Sequence, residues 1–131
     1  MNGGGVFYSS NRGVNWSSIT NITTGSFKVS LDGLRGVAAS SNSYIGIYYT
    51  VDGGATWSIS GAPAYNYSFV SLSGLNGIAG VITGGSGIYY TTNGGATWSQ
   101  SSSLASDTFI AGSLLGLNGV TAITSNSGTG L

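Results

Sequence analysis

The sequence predicts an all-β fold built from repeated four-stranded antiparallel units. One segment recurs three times, each copy closed by a tryptophan, and Trp16, Trp57 and Trp98 stand 41 residues apart. A fixed interval between about 20 and 50 residues marks stacked or radial repeats. Helix is not expected, because 24 of the 131 residues are glycine and no stretch sustains the i, i+3, i+4 apolar spacing.

Each period contains two hairpins. In the tryptophan hairpin, an apolar and aromatic run such as Gly46-Ile47-Tyr48-Tyr49-Thr50 is rich in strand formers. It meets Val51-Asp52-Gly53-Gly54-Ala55, whose glycines permit the positive φ of a tight turn, and returns through Thr56-Trp57-Ser58. The second hairpin reads Val29 to Ala39, Val70 to Gly80 and Gly112 to Ala122. In its last two copies Asn76-Gly77 and Asn118-Gly119, set between alternating apolar residues, are hairpin signals. The third copy lies one residue farther on than the period requires, so one residue is inserted after Trp98. The chain reads as a single repeat domain over 1–131, with repeats at approximately 5–45, 46–86 and 87–131.

The tryptophan hairpin resembles the Asp-box, or BNR repeat, of sialidase-like β-propellers, whose pattern is Ser/Thr-x-Asp-x-Gly-x-Thr-Trp. Thr50, Asp52, Gly54, Thr56 and Trp57 match every specified position. Thr91, Asn93, Gly95, Thr97 and Trp98 depart only by Asn for Asp, and Ser9, Asn11, Gly13 and Trp16 depart at Asn11 and Asn15. An Asp or Asn at the turn can accept backbone N–H groups two residues on, the Gly supplies the unusual backbone angle, and the Trp buries its ring between sheets. The resemblance implies blades of four antiparallel strands, A to D from the axis outward, with the box on the outer side joining C to D. By that resemblance the box residues are structural.

In those terms the chain reads CD-ABCD-ABCD-AB, about three blade-equivalents. Thr124 to Leu131 stops where a further strand C would begin, and Gly5-Val6-Phe7-Tyr8 supplies such a strand. Three blades are too few for a ring, since propellers have about 4 to 8. Open strand edges with almost no Lys, Glu or Pro are an aggregation hazard. The expectation is a homo-oligomer, with a six-bladed dimer leading and other cyclic oligomers as alternatives. A segment of a longer array is the competing expectation. Gly46–Ser58 and Gly87–Ser99 differ only at Val51/Thr92 and Asp52/Asn93, which points to recent duplication or design.

Composition narrows function by exclusion. Lys28, Arg12 and Arg35 face Asp32, Asp52 and Asp107, with no Glu, His or Cys. Nucleic acid and anionic membrane need clustered cations, so neither is an expected partner. The sialidase resemblance implies an arginine triad, a Tyr nucleophile with a Glu partner and an Asp acid/base. Two arginines, no Glu and no paired carboxylates argue against an enzyme. No zinc or iron ligand set exists, and no cofactor is expected. The remaining class is binding. The expected function is a self-assembling scaffold; the alternative is a multivalent lectin for neutral glycans, with Tyr65, Asn66, Tyr67 and Arg35 as candidate ligand residues. The tyrosine pairs Tyr48/Tyr49 and Tyr89/Tyr90 read as strand residues, one of each pair in the core and one facing out.

Overall fold

A computed structural model of the chain describes residues 5–22, 25–102, 104 and 109–123. All regular structure among them is strand. The chain runs β1 (Phe7–Tyr8), β2 (Ser17–Ser18), β3 (Phe27–Asp32), β4 (Arg35–Ser40), β5 (Ile47–Thr50) and β6 (Ser58–Ile59). It continues through β7 (Asn66–Ser73), β8 (Asn76–Thr83), β9 (Ile88–Thr91), β10 (Ser99–Gln100), β11 (Phe109–Leu115) and β12 (Asn118–Ile123). These form four antiparallel sheets in the orders β1-β2, β3-β4-β5-β6, β7-β8-β9-β10 and β11-β12. Two four-stranded sheets are therefore flanked in chain order by the two-stranded sheets β1-β2 and β11-β12. Asp107 and the segment 124–131 lie outside the described residues.

The glycine-leucine hairpins turn two residues earlier than the Asn-Gly signal indicates. Asp32 pairs with Arg35, Ser73 with Asn76 and Leu115 with Asn118, so the two-residue loops are Gly33-Leu34, Gly74-Leu75 and Gly116-Leu117. The leading glycines adopt φ of 62°, 61° and 59°. Glycine at the first loop position suits a hairpin turn whose twist matches the strands. Asn76 and Asn118 instead open the returning strands.

Alternation along the second sheet places opposite residues in different cores. Val37, Ala39, Ile47 and Tyr49 pack with Tyr67, Val70, Leu72, Ala79, Val81, Tyr89 and Trp98 of the third sheet. Ala38, Tyr48 and Trp57 pack with Val6, Tyr8, Ile19 and Ile22 on the first-sheet side. Tyr48 and Tyr49 are thus each half-buried in a separate core, which departs from the one-in, one-out expectation, because the second sheet is covered on both faces. Tyr89 is buried while Tyr90 is 45% exposed, as the expectation had it.

Strands β3, β7 and β11 and the turns that follow them also tie sheet to sheet. The amides of Leu72 and Gly74 donate to Ser30 Oγ (3.0 Å) and Asp32 Oδ2 (2.7 Å). One sheet farther on, Leu114 and Gly116 donate to Ser71 Oγ and Ser73 Oγ, both at 2.9 Å. Between the third and fourth sheets the Phe69 ring lies against Gly80 and Gly112, where an added Cβ would fall 2.3 Å from ring atoms.

Candidate functional site

All three tryptophan segments close the same turn. Thr50 donates its hydroxyl to Asp52 Oδ1 (2.8 Å) and accepts the amides of Asp52 (3.3 Å) and Gly54 (3.1 Å). Asp52 accepts the Thr56 amide (2.9 Å) and hydroxyl (2.5 Å), and the Trp57 indole donates to the Gly54 carbonyl (2.8 Å). The acidic side chain therefore reaches the amide four residues on, not two; the two-residue span belongs to the leading threonine. Gly54 and Gly95 adopt φ of 97°, a region that side chains other than glycine rarely enter.

Asn93 reproduces the network with one proton moved. Its Oδ1 accepts the Thr97 amide (3.0 Å), while its Nδ2 donates to the Thr97 hydroxyl (2.7 Å). Thr91 and Trp98 act as Thr50 and Trp57 do. In the first copy Ser9, Asn11, Gly13 and Trp16 make the corresponding bonds. Arg12 there adopts φ of 63° where the other two copies carry Gly53 and Gly94.

Hydrogen bonds from the Thr56 hydroxyl and amide, then from Thr50, hold the Asp52 carboxyl at about 2, below its usual 3.8. A depressed folded value stabilises the fold above the unfolded value, and that contribution disappears as pH falls through the folded one. We expect the thermal midpoint to fall between about pH 4 and about pH 2. Asp52→Asn, which copies Asn93, is expected to flatten that part of the curve. Melting curves of both proteins across this range check it.

The candidate ligand residues divide among structural surroundings. Tyr67 is fully buried and donates its phenol to the Pro63 carbonyl (2.9 Å), and burial pushes that phenol's pKa up. Asn66 is buried, accepts the Tyr44 amide (2.8 Å) and donates to Thr83 Oγ1 (2.9 Å). Tyr65 is half-buried and meets the Tyr89 ring edge-on at 6.2 Å. Arg35 extends to the turn of the third sheet, where its Nη1 lies 3.0 Å from the position a Gly94 Cβ would take. The structure does not bring Arg35 together with the tyrosine segment.

Beyond the open strand edges expected from the sequence, the two end faces are apolar. Trp57 and Trp98 are each 8% exposed, but Trp16 is 62% exposed, because none of the described sheets covers its side. Beside it a groove of about 410 Å³ is lined by Val6, Tyr8 and Trp16 of the first hairpin and by Val29, Leu31, Gly54 and Trp57 of the second sheet and its turn. At the opposite end Ile110, Leu115, Leu117 and Val120 are exposed. The usable signal was the repeat itself, because Val120 occupies the position of the fully buried Val37.

The family model of the BNR/Asp-box repeat matches residues 48–58 and 89–100, so the chain carries Asp-box repeats at its second and third copies. No curated protein and no solved structure matches the chain.

Proposed function

We propose that the chain is a non-catalytic β-propeller module that closes its ring by self-association and serves as a scaffold. Two copies supply six four-stranded blades, the outer pair β1-β2 of each completed by the inner pair β11-β12 of the other. The observation that carries this reading is the pair of uncovered apolar end faces. Phe7, Trp16, Val29 and Leu31 are 57%, 62%, 58% and 56% exposed at one end, and Leu115, Leu117 and Val120 are 80%, 88% and 74% exposed at the other. Contiguous exposed apolar surface of this kind marks an association site. Head-to-tail contact of two unlike faces gives a cyclic ring when the rotation closes.

Absence of catalysis is supported by the side chains at hand. Arg12 lies in an outer turn and Arg35 on the next sheet's turn, and neither Glu nor His is present. The internal partners of Asn66 and Tyr67 give the glycan-binding alternative no support.

Light scattering on a size-exclusion column across a dilution series tests the reading. The expected mass is twice 13.1 kDa at every dilution. A larger discrete multiple would keep self-association and change the blade number. A well-folded monomer would overturn the proposal, and so would a ring completed by blades from another polypeptide.

A further inference from the structure

We propose that β12 of one copy pairs with β1 of a second copy in a single register: Gly119 opposite Ser9, Val120 opposite Tyr8, Thr121 opposite Phe7 and Ala122 opposite Val6. The inference rests on the self-association reading and specifies its contact residue by residue. Three separate sets of bonds inside the chain lead to it.

The first is strand pairing. In the second sheet Gly36, Val37, Ala38 and Ala39 face Thr50, Tyr49, Tyr48 and Ile47. In the third, Gly77, Ile78, Ala79 and Gly80 face Thr91, Tyr90, Tyr89 and Ile88. The repeat puts Gly119 to Ala122 in the first role and Ser9 back to Val6 in the second. The second set joins the two turns of one sheet. Gly53 donates its amide to the Leu34 carbonyl (2.9 Å) and Gly94 to that of Leu75 (2.8 Å). The corresponding bond in the composite sheet runs from the Arg12 amide to the Leu117 carbonyl of the other copy.

The third set links neighbouring sheets. Ser30 and Ser71 accept the amides of Leu72 and Leu114. Ser113 occupies the same position, so its hydroxyl accepts the Leu31 amide of the second copy. Leu115 stands where Asp32 and Ser73 accept a turn amide, so the junction lacks that one bond.

Shape agrees with the bonding. Val37 fills the space over Gly95 beside Tyr49, lying 2.5 Å from where a Gly95 Cβ would sit. Gly54 has Tyr8 beside it in the same way but, among the described residues, no valine in the corresponding place, and the open groove is there instead. Val120 of the second copy fits that place. A slip of one residue would turn Val120 and Ala122 to the opposite face, out of the groove.

The chain contains no cysteine, so paired cysteines report the register directly. Directly opposed residues on antiparallel strands lie about 4.5–5.5 Å apart at Cα, within disulfide range. Phe7→Cys with Thr121→Cys is the matched pair, and Tyr8→Cys with Thr121→Cys is the shifted one. Val6→Cys with Ala122→Cys is a second matched pair should the first fail to fold. Each is oxidised with glutathione disulfide and read by non-reducing gel and intact mass. The expected result is crosslinking at least about tenfold faster in the matched pairs, ending in a closed two-chain species without free thiols. Equal rates for matched and shifted pairs, with the mass of two chains retained under reducing conditions, would overturn the register and leave self-association standing. An intrachain disulfide, or no crosslink in a reduced protein of monomer mass, would overturn both.

Discussion

Trp98→Ala is expected to destabilise the fold by about 3–5 kcal/mol, the range for deleting a buried large aromatic. The ring is 8% exposed and belongs to the core that also holds Val37, Ile47, Val70, Leu72 and Tyr89, and its indole N–H holds the Gly95 carbonyl at 2.9 Å. Removing it opens a cavity between the second and third sheets and leaves that carbonyl without its indole partner. Since small domains hold only about 5–15 kcal/mol of net stability, the variant should lie close to the unfolding limit. Trp16 makes the same indole bond to Gly13, but its ring is 62% exposed. Trp16→Ala should therefore change the stability of the separate chain by less than about 0.5 kcal/mol, as for other surface sites. In the proposed ring the Trp16 side is covered by the second copy, so its loss should appear as weaker association. Urea titration at several protein concentrations distinguishes the two: the Trp98→Ala loss persists at every concentration, and the Trp16→Ala effect grows with concentration. A large loss for Trp16→Ala in the monomer would contradict the exposure of its ring.

The strand order was legible because the period repeats chemistry as well as spacing. Each tryptophan segment brings a hydroxyl, an amide-accepting side chain and a positive-φ glycine to the same relative places, and local bonds suffice to close the turn. The position of the glycine-leucine turn was misread because Asn-Gly is a strong local signal. The winning alternative, glycine at the first loop position, differs by only two residues. The ties from Ser30, Asp32, Ser71 and Ser73 were not legible, because they connect residues about one period apart and any one serine looks like a solvated strand residue. The neighbours of Arg35, Asn66 and Tyr67 show the same limit: Gly94, Tyr44, Thr83 and Pro63 reach them only through tertiary contact.

Gly95→Ala should cost more than substitution at an open glycine turn, and the difference separates strain from crowding. At Gly33, with φ of 62° and no atom within 4 Å of the new methyl, only backbone strain operates, about 1–2 kcal/mol. At Gly95, with φ of 97°, the methyl also falls 2.5 Å from Val37 Cγ1 and 3.2 Å from Tyr49 Cβ. Val37 is fully buried and cannot withdraw, so overpacking adds about 1–3 kcal/mol. Gly54 has the same φ, but Tyr8 Cβ at 3.5 Å is ordinary contact. Gly54→Ala in the separate chain should therefore carry the backbone strain of Gly95→Ala without its crowding, and cost less by about 1–3 kcal/mol. If Val120 of a second copy takes the place that Val37 takes over Gly95, the Gly54 methyl collides with it on association. Gly54→Ala should then weaken association by about 1–3 kcal/mol at each junction while Gly33→Ala leaves it nearly unchanged. Denaturant midpoints and dilution-series masses of the three variants measure both quantities. A Gly54→Ala protein that associates as tightly as the parent would mean that no valine sits over that glycine.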